Sequence, residues 1–587
     1  VKQFFITIAG VFLGLVLFFV LIPFLLIASF AGTSKPAIPA NSVLSVDLRE
    51  PLTDVPASTP FAAFTNTSSV TDLVRKLEAA ETDQNVKGLF IRASEAGMAP
   101  AHAEEIRQAL IDFKASGKFV MAHAQGFESP TLSNYVAISS ASEVWMQGGT
   151  DFTATGLVAE TLFLGGLFEK FGVISDFAQL YEFKNAVNTY TQRDYNAPHR
   201  EATTAMLGSI YNAFVGAIAF DRKLPVESVK AALDGAPMAT SLALSAKLID
   251  KIGQPEEAMD AALTKAGGVG KADFIELADY TPAPTTGPVI ALIGGEGAIV
   301  TGPGNNDAFA NEAGIKSDVF AQAIRDATDD DAVKAIVFRV SSPGGSPHAS
   351  DQIWAAIERA KAAKKPVVVS MGAYAASGGY YVSTGANAIY AMPSTITGSI
   401  GAFSGKFVIN EALNRYTGAN ISEIQIGGPY ASVYSPVSPF TNAQKVAFIA
   451  AVTRVYDDFT GKVATGRKLP IARVREIAKG RVWTGNQAKE LGLVDQVGGL
   501  RNAINGAKVL AGFTARDSVT IRAYPQAADP LTALGQALGA SAATAKTTAR
   551  AAAVVGAVLG DERVASLLAQ SRASANGAMM SEPVRVK

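Results

Sequence analysis

The chain has 587 residues, a formal net charge of −1, 48% hydrophobic and 18% charged residues. That length exceeds what one ordinary core holds and implies two or more domains, while near-neutrality leaves no basic field for nucleic acid. No cysteine is present, and the four histidines (His102, His123, His199, His348) form no HExxH pair, which excludes disulfides, thiolate catalysis and cysteine-ligated zinc and argues against a zinc hydrolase.

The first element is residues 4–31, FFITIAGVFLGLVLFFVLIPFLLIASFA, a run without charge. A helix crossing the hydrocarbon core needs about 20 apolar residues, so the run predicts a transmembrane helix and makes residues 1–37 a lipid-embedded anchor. Ser29-Phe30-Ala31 looks like a small-x-small cleavage site, but a signal-peptide apolar region spans only about 7–15 residues, so the anchor is read as retained. In either case the rest of the chain is exported.

Next come VLSVDL at 43–48, VKGLFIRAS at 86–94, a helical pattern AEEIRQALIDFKASGK, and FVMAHA. Strand, helix and strand with short connections make a parallel βαβ unit. The pattern then returns. VIALIG at 289–294 opens a second half, and VKAIVFRVS at 333–341 repeats VKGLFIRAS 247 residues on. RKLP at 222–225 and LIDKIG at 248–253 recur as RKLP at 467–470 and LVDQVG at 493–498, each 245 residues on. Offsets this constant identify an internal duplication. Two α/β lobes are expected, 38–285 and 286–523, joined near TPAPTTGP at 281–288. RKLP, present in both, reads as structural. From 524 to 587 the composition shifts to Ala, Gly and Ser, and a partly helical tail is expected.

Each half serves as a control for the other. The C-terminal half reads GAYAASGGYYVS at 372–383 where the N-terminal half has QGFESPTLSNYVA at 125–137. SSPGGS at 341–346 stands opposite SEAGMA at 94–99, and LYEFKNAVNTY at 180–190 opposite IGGPYASVYSP at 426–436, so Lys184 faces Tyr430 in the comparison. One half keeps a lysine and lacks the serine; the other keeps Ser377 and lacks the lysine. A serine hydroxyl needs a base to become a nucleophile, and lysine serves only when burial or neighbouring charge lowers its pKa from about 10.4 towards roughly 7–8. A lysine delivered across an apolar cleft between lobes meets that need. Gly344 and Gly345, with Gly378, are candidate oxyanion-hole residues whose N–H donors are worth about 3–4 kcal/mol each. His348 reads as a surface-loop histidine and Thr397 as loop structure.

ASGGYYVSTGANAIYAMPSTITGSIG at 376–401, with SSPGGS upstream and FKNAV around the lysine, resembles the protease IV family, the long form of signal peptide peptidase A. The resemblance covers nearly the whole chain apart from the tail. It implies tandem lobes of the crotonase and caseinolytic-protease fold, Ser377 as nucleophile, Lys184 as general base, and Ser399 of TGSIG as the partner that orients the ammonium. It further implies a bowl-shaped homotetramer on the periplasmic side of a bacterial inner membrane, acting on peptide substrates left from signal-peptide processing. No cofactor and no metal are expected. A crotonase-like acyl-CoA enzyme is the first competing reading, since that superfold shares the glycine-lined site, but the anchor and Ser-Gly-Gly argue against it. A non-catalytic membrane scaffold is the second.

Overall fold

Short runs of β-branched and aliphatic residues form the strands, and a run covered on both faces is apolar along its length. Val367–Ala376, VVVSMGAYAA, is such a run, with every residue but Tyr374 buried. The computed structural model describes residues 38–56, 68–127, 132–268, 270–303 and 314–525, with Gln3, Gly10, Gly14 and Arg585–Val586 besides. The expected transmembrane run at 4–31 and the expected helical tail past Tyr524 lie, but for those few positions, outside the described residues.

The duplication is visible in the topology. The first sheet runs Phe274–Glu276, Ser42–Asp47, Val86–Arg92, Phe119–Ala124, Glu143–Met146, Lys251–Ile252, with every pairing parallel. The second sheet repeats that order with Thr520–Tyr524, Val289–Glu296, Val333–Ser342, Val367–Ala376, Ala388–Ala391 and Gln496–Val497. The upper end of Val367–Ala376 also takes Ile396–Gly398, which pairs antiparallel with Val482–Thr484. Thr397, expected in a loop, is therefore a strand residue, and its hydroxyl donates to the Ala375 carbonyl at 2.7 Å.

Helices pack on the sheets through apolar stripes. Val70–Ala80 begins where the Ser69 side chain accepts from the Asp72 N–H, and it buries Val70, Leu73, Val74 and Leu77 at helical spacing. Each fully buried side chain of this kind contributes about 1.5–3 kcal/mol. Ala197–Arg222 is, by length and composition, apolar enough to cross a membrane, yet Met206, Ile210, Phe214 and Ile218 face the N-terminal core. The RKLP arginines hold structural posts. Arg222 pairs with Asp250 at 2.7 Å and Arg467 with Asp495 at 2.6 Å, and these aspartates belong to the repeated LIDKIG and LVDQVG.

Among the contacts that bind the halves to each other, a strand pairing and a buried ion-pair cluster stand out. Ile174–Gln179 of the N-terminal half pairs antiparallel with Phe403–Val408 of the C-terminal half. On the strand Val333–Ser342, the fully buried Arg339 meets Asp54 at 2.6 and 2.8 Å and Glu105 at 2.7 and 3.2 Å. Two carboxylates and the Ser370 hydroxyl at 3.0 Å satisfy a guanidinium that no solvent reaches.

Candidate active site

The strand Val367–Ala376 ends at Ser377, where the chain turns sharply into the helix Gly378–Ser383. Ser377 sits at φ 54°, ψ −117°, a conformation that costs a non-glycine residue on the order of 1–3 kcal/mol and lifts its side chain clear of the sheet. Its N–H donates to the Gly398 carbonyl at 2.8 Å, so the neighbouring strand holds the strained turn.

Lys184 arrives from the other half. Once Ile174–Gln179 is zipped to Phe403–Val408, the chain leaving that ribbon passes beside Ser399. Lys184 Nζ lies 3.0 Å from Ser377 Oγ and donates to the Ser399 carbonyl and Ser399 Oγ, both at 2.9 Å. The residue is 3% exposed, and among the described residues no carboxylate pairs with it. Burial alone therefore pulls its pKa down to about 7, because a desolvated ammonium is disfavoured against the neutral amine. An amine of that pKa accepts a proton at neutral pH.

The glycines divide. Gly344 N–H donates to Ser342 Oγ at 3.1 Å, so of the three expected oxyanion residues it has its donor engaged. Gly345 and Gly378 have N–H groups without a partner among the described residues. The two lie together, since a Cβ on Gly378 would be 3.1 Å from Gly345 N. Gly345 admits no side chain, for a Cβ there would stand 2.0 Å from the Ile299 carbonyl oxygen. Beside the serine opens a small cleft, with Tyr381, Phe403, Val455 and Phe459 among its walls.

In the N-terminal half the corresponding place has no such chemistry. Tyr135 and Tyr380 are equivalent, their hydroxyls donating to the carbonyls of Leu248 at 2.6 Å and Leu493 at 2.8 Å. Counting back three residues puts Leu132 where Ser377 stands. Tyr430 is half-exposed and His348 exposed. His102 is bound to Asp54 at 2.9 Å, His123 to the Gly253 carbonyl at 3.1 Å, and burial pushes His199 down to about 4. None of the four histidines lines the cavity. Sequence reading missed the segment Lys479–Arg481, which packs against Lys184; the glycine of AKGRVWTG, matched by DGAPMAT in the first half, was the available signal.

The model of peptidase family S49 matches residues 112–268 and 359–514, one match in each half. Protease 4 of Salmonella typhi is 33% identical over 464 residues, covering 76% of this chain and 72% of that protein. The chloroplastic serine protease SPPA of Arabidopsis thaliana is 28% identical over 513 residues, covering 85% and 74%. A putative signal peptide peptidase SppA of Enterococcus faecium is 32% identical over 216 residues, covering 36% of this chain and 60% of that one.

Proposed function

The chain belongs to peptidase family S49 and is a serine protease, and from that premise we propose that it cleaves peptides with a Ser–Lys dyad of Ser377 and Lys184. The observation that carries the proposal is the 3.0 Å approach of a buried amine without a counter-ion to the hydroxyl of Ser377. In the neutral state Lys184 Nζ takes the Ser377 proton as Oγ attacks the scissile carbonyl carbon. The oxyanion that forms is met by the N–H groups of Gly345 and Gly378. Lys184, now an ammonium held by Ser399, returns the proton to the leaving amine, and the acyl-enzyme is hydrolysed by water activated at the same nitrogen. Reaction of Ser377 with a fluorophosphonate probe, lost in Ser377→Ala, tests the assignment; labelling elsewhere, or none, removes it.

The substrates are apolar peptides, remnant signal peptides among them. Aromatic and aliphatic cavity walls at Tyr381, Phe403, Val455 and Phe459 support this, as does the naming of the Enterococcus relative. Residues 1–37 form the anchor, 38–285 the lobe of crotonase and caseinolytic-protease type that supplies the lysine, 286–523 the lobe that supplies the serine, and 524–587 a tail. The lobes stand on the periplasmic side of a bacterial inner membrane.

The working form is a homotetramer. ISEIQI at 421–426 repeats ISDFAQ at 174–179, the strand that pairs with Phe403–Val408. In the repeat, Ile424 and Ile426 stand 92% and 91% exposed. A second copy of the chain covers them.

A further inference from the structure

Lys184 reaches the serine between two bare backbone positions of the C-terminal half. The segment Lys479–Arg481 lies between the Ser399 loop and the lysine segment, bonded to both. Gly480 N donates to the Ile400 carbonyl at 2.8 Å and Ser399 N to the Arg481 carbonyl at 2.7 Å, while Phe183 N donates to the Lys479 carbonyl at 3.2 Å. Gly480 has φ +83°, and a Cβ there would lie 2.5 Å from Lys184 Cβ and 2.6 Å from Lys184 Cα and N. Across from it, a Cβ on Gly401 would stand 2.6 Å from Gly480 Cα and 3.3 Å from Lys184 Cδ. The stem of the lysine thus rests on main chain, with no room for a methyl group on either side.

Side chains of the same segment grip the N-terminal half around the lysine. Lys479 pairs with Glu182 at 3.3 Å. The Arg481 guanidinium lies over the rings of Phe183 and Trp483, 4.9 and 4.5 Å from their centroids, and binds Glu201 of the helix Ala197–Arg222 at 2.5 and 2.8 Å. The repeat supplies a control. Gly235, 245 residues earlier, has φ −85°, and the nearest atom to a Cβ there is the Ala231 carbonyl oxygen at 3.2 Å. The left-handed turn belongs to the half that receives a lysine.

We propose that Gly480 is a positioning residue for the general base: its missing side chain lets the Lys184 main chain close onto Lys479–Arg481, and that closure sets how far Nζ reaches and keeps water off the amine. The inference rests on the reading of Lys184 as the base. Any side chain at Gly480 lifts the lysine segment away from the Ser399 loop, lengthening the approach to Ser377 and admitting solvent along the stem.

The test compares Gly480→Ala with Gly512→Ala in the full chain. Gly512 has φ +88° with nothing within 4 Å of an added Cβ, so it carries the same left-handed penalty without touching the lysine. Peptide turnover and fluorophosphonate acylation are followed from about pH 5 to 10. Gly480→Ala should lose about 100-fold in kcat with KM nearly unchanged, the loss expected for a roughly 1 Å misplacement of a catalytic group. Its residual rate should rise with pH at a midpoint about one pH unit above the parent's, because a better-solvated amine holds its proton longer. Gly512→Ala should match the parent in both respects. Should Gly480→Ala fail to fold, Arg481→Gln gives the readout: it removes the Glu201 tie, keeps the loop backbone, and should move the midpoint the same way by less. A Gly480→Ala profile equal to that of Gly512→Ala, a rate loss without a midpoint shift, or an unshifted Arg481→Gln overturns the inference. Lys184→Arg measured alongside separates the two levels. If it is inactive while Gly480→Ala behaves as the parent, only the inference falls; if it is as active as the parent, the reading of the base falls with it.

Discussion

Replacing Lys184 with methionine should make the protein more stable at low pH while removing its activity. The amine moves from a free lysine's 10.5 to about 7 on folding, which corresponds to roughly 4–5 kcal/mol of work against folding when it is protonated in both states. The sign follows from proton counting. Between about pH 7 and 10.5 the unfolded chain binds the extra proton, so this burden is complete below about 7 and gone above about 10.5. Methionine has a similar length and carries no charge. It gives up three hydrogen bonds, two to Ser399 and one to Ser377, at about 1 kcal/mol each. The net expectation is a gain of about 1–2 kcal/mol near pH 6, shrinking with pH and reversing to a loss of about 3 kcal/mol beyond pH 10. Urea unfolding followed by tryptophan fluorescence reads this out, Trp483 lying beside the lysine segment through Arg481. A variant no more stable than the parent near pH 6, or a difference that does not change with pH, would show that the amine is not held desolvated.

Ser377→Ala should lower turnover by at least about 1,000-fold without loss of folding, since the side chain is small and acts as the nucleophile; substantial residual turnover removes Ser377 from the mechanism. Arg339→Met should destabilise the chain by about 3–5 kcal/mol, because Asp54 and Glu105 would be left buried without their cation; thermal unfolding tests it, and an unchanged transition would mean that the seam between the halves is held elsewhere. If residues 4–31 are a retained anchor, the chain should remain in the membrane fraction after an alkaline carbonate wash, whereas a mature N-terminus at Gly32 would establish cleavage.

Much of the architecture was legible in advance because a duplicated chain carries its own comparison. The constant spacing between RKLP, LIDKIG and their repeats marks positions whose ion pairs, Arg222 with Asp250 and Arg467 with Asp495, serve the same role twice. The contrast between FKNAV and the segment around Tyr430 singled out the lysine that lies by Ser377. What escaped depends on which surfaces meet, and local periodicity does not encode that. Ile174–Gln179 reads as an ordinary strand, and nothing in its own pattern says that its partner is Phe403–Val408, more than two hundred residues away. Arg339 closes an apolar run in the way a solvated strand end would, yet it is fully buried because two carboxylates of the other half surround it. Gly344 could not be told from Gly345 until the Ser342 hydroxyl was found on its N–H. The sequence alone does not set Gly480 apart from other glycines, since its importance lies in the distance to Lys184.

The most direct test of the dyad is the pH dependence of acylation at Ser377 by a fluorophosphonate, measured in the parent and in Lys184→Arg. The parent rate should rise through a single ionisation with a midpoint near the lysine's value of about 7 and level off above it, because only the neutral amine accepts the serine proton. Arginine stays protonated throughout, so Lys184→Arg should be slower by about 100- to 10,000-fold and show no such midpoint. Acylation of Lys184→Arg at the parent rate, or a midpoint that persists when Lys184 is replaced and vanishes when a histidine is, would contradict the assignment of Lys184 as the base.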